Sequence, residues 1–246
     1  MKPVMQAIFR AKRDYARLPL FEYLRDDSLS PRQRFAFYKC MAPFILTFGD
    51  LNRHVMRDES SDDHYQLLVN AHTYEDDHHW PWYLEDLEKL GLSARETLAD
   101  SLRFLYGDAT RVNRLLGMKL AHLLYGASPV ERLVIIESIE ETGNVLFALT
   151  AKIAQRFQRE EGVELRYLGE FHFNLETGHA MNDLDHQALA RIPLDDMQRQ
   201  RSLHLVEQVF ACFREWTEEL LRFARAEAGV AGNDDPTEAS EAIVAA

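Results

Sequence analysis

A chain of 246 residues, 46% apolar and 28% charged, is long enough to bury one large core and too ordinary in composition to be fibrous or disordered. Acidic side chains outnumber basic ones 40 to 28, which gives a formal net charge of −12 and removes the basic surface that nucleic acid or a polybasic membrane contact would need. The two cysteines, Cys40 and Cys212, sit in apolar stretches, so the chain reads as a reduced, soluble, cytoplasmic protein with no nucleic-acid partner and no membrane anchor.

Met1 to Arg13 carries charges throughout and lacks the apolar core of a secretory signal or membrane span. Ser30-Pro31 places a capping hydroxyl before a proline at the first helical position. Phe35, Tyr38, Met41, Ile45 and Phe48 follow at three- and four-residue spacing, so one buried helix is expected there. Pro43 and Pro81 are expected to kink the helices that hold them. Leu84, Leu87 and Leu90 lead to Gly91 as a stop, and Gly107 and Gly126 are expected to close later segments in the left-handed conformation. Ser93 with Glu96, and Ser128 with Glu131, have the spacing of Ser-x-x-Glu capping boxes, each opening a helix. Val163 to Phe173 is ambiguous between strand and helix. Pro193 marks the start of the last long helix, through Val206, Phe210, Phe213, Trp216 and Leu220. From Gly229 to Ala246 the composition shifts to Gly, Ala, Asp and Glu, so 229–246 reads as a disordered tail behind one helical domain spanning 1–228. The expected fold is all-α, with about seven or eight helices in a single domain.

The histidines carry the functional signal. Six of the ten fall in two short windows, Ala71 to His79 and Phe171 to His186, where uniform scattering would place about one. In the first, His72, Asp76 and His79 are spaced i, i+4, i+7, so on a continuous helix their side chains point within about 60° of one another. The second contains the same spacing in two overlapping frames, His172-Glu176-His179 and His179-Asp183-His186. Imidazole nitrogen with carboxylate oxygen suits iron or manganese, and the absence of cysteine from both windows disfavours structural zinc. Helical bundles build dinuclear sites from acid-x-x-His steps on two helices with further carboxylates from others, and Glu75-x-x-His78, Asp76-x-x-His79, Glu176-x-x-His179 and Asp183-x-x-His186 are such steps. A further carboxylate is expected from the apolar stretch Leu133 to Ile153. Helical-wheel placement favours Glu140, with Glu137 and Glu141 as alternatives. Taken singly, each histidine reads as a surface or satisfied core residue, and Glu75, Asp76 and Asp77 as a largely solvated face; Trp80, Trp82 and Tyr83 read as packing. It is the pairing of two matched windows that favours a shared metal.

With those residues on the page, the chain resembles the haem-oxygenase-like di-iron oxidases, a group similar in fold to the thiaminase-like and pyrroloquinoline-quinone synthase proteins. The likeness rests on Asp76 to His79, on a glutamate of the following long helix, and on His-x-x-x-Glu-x-x-His after Tyr-Leu-Gly, Tyr167 to His179. It spans roughly Pro31 to Leu220. The resemblance implies a seven-helix fold, two irons, and reaction of the reduced pair with dioxygen to oxidise a small organic substrate. Carried over residue by residue, it places His79, Glu140, His172, Glu176 and His179 as ligands and Asp76 as an accessory carboxylate. Where the family commonly has a glutamate seven residues before its first ligand histidine, this chain has His72, which keeps a ligand and removes a charge. Asp183 and His186 have no required role in that pattern and would support the ligands.

The expected chemistry therefore has iron held by His72, His79, Glu140, His172, Glu176 and His179. Shifts of Asp76 or Glu176 would open positions for dioxygen, and Phe35, Met41, Phe147 and Phe210 would exclude water. A thiaminase-like, metal-free enzyme and a ferritin-like storage bundle are the competing readings. The long helices with exposed-looking faces leave room for a homodimer.

Overall fold

A 33-residue helix, Pro129–Glu161, runs through the middle of the molecule, and most other elements are arranged around it. The computed structural model describes residues 1–93, 97–178 and 186–229, and among these all regular structure is helical. In chain order the segments are α1 (Lys2–Tyr15), α2 (Pro19–Arg25), α3 (Pro31–Arg34), a 3-10 turn (Tyr38–Met41), α4 (Ala42–Leu51), a π turn (Asn52–Met56), α5 (His64–Asp76) and α6 (Trp80–Lys89). Then come α7 (Leu98–Tyr106), a 3-10 turn (Asp108–Thr110), α8 (Arg111–Leu124), α9 (Pro129–Glu161), α10 (Glu170–Gly178), α11 (His186–Arg191) and α12 (Asp196–Glu227). No helix among the described residues is long and apolar enough to cross a membrane.

Helix α9 starts where its sequence says it should. The Ser128 hydroxyl accepts the Glu131 amide, the Glu131 carboxylate accepts the Ser128 amide, and Pro129 occupies the first turn, where no amide is needed. It ends at Gly162, whose φ of 72° is the left-handed cap that a side-chain-bearing residue resists. Between them Val134, Ile135, Ile136 and Ile139 are buried in succession, so the helix is apolar around most of its girth, as a helix enclosed by others must be. It packs against α12, α10, α1, α5, α3 and α2, and α12 packs in turn on α1 and α8.

The proline and glycine readings need correction in several places. The expected buried helix after Ser30 is broken into α3, a 3-10 turn and α4. Pro43 has no amide to donate to residue 39, so it opens α4 rather than kinking a longer helix. Pro81 likewise sits in the first turn of α6. Gly91 and Gly126 have positive φ as expected. Gly107, by contrast, has φ −75°, and its requirement is space: a Cβ would lie 2.8 Å from the Arg103 carbonyl oxygen. The helix expected from Ser93 begins instead at Leu98, capped by the Thr97 hydroxyl on the Asp100 amide; Glu96 lies outside the described residues. The last long helix is opened by an Asp195–Gln198 capping box, two residues after Pro193. Val163 to Gly169 is irregular and leads into α10, so the ambiguous stretch holds no strand. Among the described residues there are twelve α-helical segments where seven or eight helices are expected, because these prolines and caps divide the chain more often than its apolar period implies. The expected tail from 230 onward lies outside the described residues.

Candidate metal centre

Helix α5 brings the first donors inward because its buried face is polar. Asp63 caps its start by accepting the Tyr65 and Gln66 amides. Gln66, Asn70, His72, Thr73 and Asp76 are then buried, and each of the first two is tied to backbone or to the other: Gln66 donates to Asn70 and to the Met56 carbonyl, and Asn70 donates to the Asp58 carbonyl. The end of α5 is clamped by Arg57, which donates to the Thr73 hydroxyl and carbonyl and to Asp77 at 2.6 Å. Burial alone would raise the Asp77 pKa, but bonds from Arg57, His78 and Arg53 together hold it below the usual value.

The helix does not continue to His79. It stops at Asp76, turns through Asp77 and His78, and restarts at Trp80, with His79 as the residue before the first turn of α6. The expectation of three donors on one continuous helical face is therefore corrected: His72 and Asp76 share a face, whereas His79 reaches the same region through a turn. Its imidazole is buried and stacked on the Trp82 indole, 4.4 Å between centroids at 20°.

The second window arrives on α10. Asp86 of α6 is buried and accepts the amides of Arg166 and Leu168, which pins the loop before the helix. Burial raises the Asp86 pKa, with those amides working against it. The pinned loop aims the Tyr167 carbonyl at His172, 2.9 Å from Nδ1. With a proton on Nδ1 donated to that oxygen, Nε2 keeps its lone pair, the arrangement that orients imidazoles toward metals. Burial pushes the His172 pKa down to about 4, so the ring is neutral. Its Nε2 lies 3.2 Å from His79 Nδ1, and Phe147 and Tyr167 pack against its ring.

Helix α9 supplies Glu140. His72 Nε2 is 2.9 Å from Asp76 Oδ2 and 3.4 Å from Glu140 Oε1, and these three residues form a group whose donor atoms all lie within 4.8 Å of one another. Burial depresses the His72 pKa, but Asp76 and Glu140 outweigh it and raise the value well above the ordinary one. Asp76, His79, Glu140 and His172 line one cavity of about 70 Å³, whose remaining wall is largely apolar: Met41, Phe44, Phe48, Phe147, Phe213 and Trp216 are part of it. Of the apolar residues expected there, Met41 and Phe147 are present. Phe35 and Phe210 instead belong to the core, and Phe44, Phe48, Phe213 and Trp216 take their place.

The structure thus brings His72, Asp76, His79, Glu140 and His172 together. His186 goes elsewhere: it opens α11 and lies 3.0 Å from Glu137 and 3.8 Å from Glu141, in a group where the Lys12 ammonium also contacts Glu141. This settles which α9 acid faces the inner cluster: Glu140 does, and Glu137 and Glu141, the alternatives, face α1 and α11. Glu176 is on α10, one turn beyond His172; its side chain, like His179 and Asp183, falls outside the described residues. His78 is exposed beside Asp77, and Tyr74 is exposed with its hydroxyl on Glu59. Asp86 had no sequence signal tying it to the histidines, since its partners are 80 and 82 residues away; the Tyr167 carbonyl and the His79–Trp82 stack are local contacts, five and three residues from their histidines, that residue spacing alone did not single out.

Ligand atoms each about 2.0–2.2 Å from one ion can be no more than about 4.4 Å apart. His72 Nε2 lies within that span of Asp76 and Glu140, at 2.9 and 3.4 Å, and the His79 and His172 nitrogens, 3.2 Å apart, form a second pair of donors compatible with a metal ion. The buried Nδ1 of His72 has no hydrogen-bond partner, which leaves that ring positioned chiefly by its Nε2 contacts. No family model matches the chain, and no curated protein matches it in sequence.

Proposed function

We propose that the chain is an iron-dependent oxidoreductase that uses dioxygen to oxidise a small organic molecule, with His72, Asp76, His79, Glu140 and His172 holding the metal. One observation carries this reading: Asp76, His79, Glu140 and His172, from α5, the α5–α6 turn, α9 and α10, line one cavity whose other walls are largely aromatic and aliphatic, and His72 lies 2.9 and 3.4 Å from its two carboxylates. A core tolerates such a concentration of charge only against a compensating cation, and mixed nitrogen and carboxylate donors suit iron, with manganese as the nearest competitor. Bound there, iron would supply Lewis acidity and redox chemistry with dioxygen. A second iron would draw on Glu176 and His179, a proposal that rests on sequence spacing and on the resemblance to the haem-oxygenase-like di-iron oxidases, with which the all-helical architecture is compatible.

The chain's own residues have definite tasks in this reading. His172 offers a neutral nitrogen lone pair because burial keeps its proton off Nε2 and the Tyr167 carbonyl holds the one on Nδ1. Asp76 and Glu140 supply the negative charge that makes a multivalent cation preferable to none, and His72 between them serves as a donor or as a store for one proton. Phe44, Phe48, Phe147 and Phe213 keep bulk water from the reacting position and favour an apolar substrate portion. A cavity of this size holds a few waters, so the substrate portion beside the metal is small. A metal-free thiol mechanism is poorly supported: Cys40 is buried, burial pushes its pKa up to about 12, and it makes contacts only with the Ala109 carbonyl and Asn113 among the described hydrogen bonds.

The test is anaerobic loading with ferrous iron followed by oxygen, with iron content and near-ultraviolet to visible absorbance followed together. About two irons per chain and a transient absorbance support a di-iron enzyme, and many irons per chain in a large cage would indicate storage instead. No bound iron and a featureless spectrum would end the proposal.

A further inference from the structure

We propose that the pocket between the end of α2, α3 and the C-terminal third of α9 binds a phosphate monoester of a small organic molecule. The cavity there measures about 320 Å³, and its charged lining is Arg25, Arg34, Lys152, Arg156 and Arg159 against the single carboxylate of Asp27. That is a concentrated positive site in a chain whose net charge is −12. Lys152, Arg156 and Arg159 are spaced i, i+4, i+7, so they share one face of α9 within about 60°.

The pocket is built rather than merely decorated. Arg34 is 3% exposed; one of its terminal nitrogens donates to the Leu24 carbonyl at 3.2 Å and to Asp27 at 3.0 Å, while its Nε is buried without an acceptor. Arg156 is held by the Asp27 and Leu29 carbonyls at 3.1 and 3.2 Å and by Glu160 at 2.6 Å. Lys152 and Arg159 make no ion pair or hydrogen bond among the described residues, so two cations stand beside two fixed guanidinium groups without counter-charge of their own. Cations near a helix C-terminus also answer the macrodipole. That accounts for Arg159 in the last turn, but not for Lys152 about two turns earlier, nor for Arg25 and Arg34 brought in by other helices.

The side chains indicate the ligand class. The end of α9 presents about half a negative charge that opposes any anion, so binding rests on the cations, and a phosphate dianion, which engages several of them and matches the guanidinium fork, gains most. The volume lies within the range of about 300–1,000 Å³ typical of small-molecule sites and exceeds what inorganic phosphate needs. Lys152 is twelve residues beyond Glu140 on α9, about 18 Å along the axis, so this is a separate site, and its occupancy does not depend on the metal reading.

Calorimetric titration of the full chain with glucose 6-phosphate, with and without bound metal, tests the proposal. Saturable binding that weakens with salt is expected, and Lys152→Glu with Arg159→Glu should reduce affinity about a hundredfold, tenfold or more per charge-assisted bond, with helicity and melting temperature retained because both side chains are exposed. Arg199→Glu, a partly exposed cation on α12 that pairs with Asp196, should leave affinity unchanged. Absence of binding at physiological salt, or equal binding by the double variant, overturns the proposal. So does sedimentation with phosphatidylcholine vesicles carrying phosphatidylinositol phosphate in a chain that ignores glucose 6-phosphate, since the cations would then serve a lipid headgroup.

Discussion

Helix α9 carries two groups of acid and histidine that differ in the kind of cation their carboxylates meet. On one face Glu140 meets His72 and Asp76 at the end of a cavity shared with His79 and His172. On another, Glu137 and Glu141 meet His186 and Lys12, with half of the His186 side chain and a third of the Lys12 side chain in contact with solvent. An imidazole can give up a proton and offer a lone pair, whereas a charged lysine only donates. Similar acids within one turn of each other thus become a candidate metal donor set where they face buried histidines, and pair with an ammonium where they face Lys12 and water. Residue type and spacing alone would not separate the two; the partner and its burial do.

The sharpest test of this contrast is metal affinity. His79→Ala and His172→Ala should each weaken iron binding by more than about a hundredfold, beyond the tenfold to hundredfold usual for groups that only orient a ligand. His186→Ala should leave it within about twofold, as befits a group outside the metal's reach. Competition with a chelator while iron content is measured decides the matter. Equal losses in all three would mean that the outer histidine also serves the metal and that the contrast is false.

Next in size is the support beneath the inner group. Asp86→Ala removes the acceptor for the Arg166 and Leu168 amides and leaves both orphaned, so about 2–3 kcal/mol of stability should be lost in urea denaturation. Iron affinity should fall about tenfold through the loosened Tyr167 carbonyl. Asp86→Asn, which keeps one acceptor, should lose about half as much stability. An Asp86→Ala variant that loses stability but binds iron normally would detach the loop from the metal centre.

Much of this was legible from residue order, and what was not has a common cause. Ser128 with Glu131 reported a cap correctly because a capping box is made within four residues. His72 and Asp76 share a buried face as their spacing implies, being one turn apart on α5. His79 was placed in the right region by the wrong geometry, since Trp80-Pro81 restarts the helix and a turn replaces the expected shared face. His186 kept the right spacing but went to Glu137, because where α11 packs depends on contacts with α1 that leave no periodic trace in either segment. Asp86 was invisible for the same reason: its partners are 80 and 82 residues away.

A smaller effect is expected at the outer group. Lys12→Met leaves the buried Glu141 without its ammonium partner and should cost about 1–2 kcal/mol, less than a fully buried broken pair because the lysine is a third exposed. If the lysine is what distinguishes the two groups, the variant should also gain weak binding of divalent cations that Glu137→Gln abolishes. Unchanged stability would show that water already screens the pair.

The smallest effect, and the one whose sign is most exposed to contradiction, is the pH dependence of His186. Its pKa is raised above 6.5 by the hydrogen bond to Glu137, with burial pulling the other way, the charges of Glu137 and Glu141 adding to the rise and Lys12 subtracting from it; the Phe9 ring packs edge-on against it. A folded pKa above the unfolded one means that the folded state holds the proton more tightly. The stabilisation is therefore complete below pH 6.5 and disappears as pH rises through the folded value. With half the side chain exposed, screening limits it to less than about 1 kcal/mol. Amide exchange in α11, measured on either side of that window, should show protection falling as pH rises, and His186→Gln should flatten the difference while α5 and α10 keep theirs. A rise in protection with pH would mean that desolvation, not Glu137, governs the imidazole, and the outer group would then resemble the inner one more than their partners suggest.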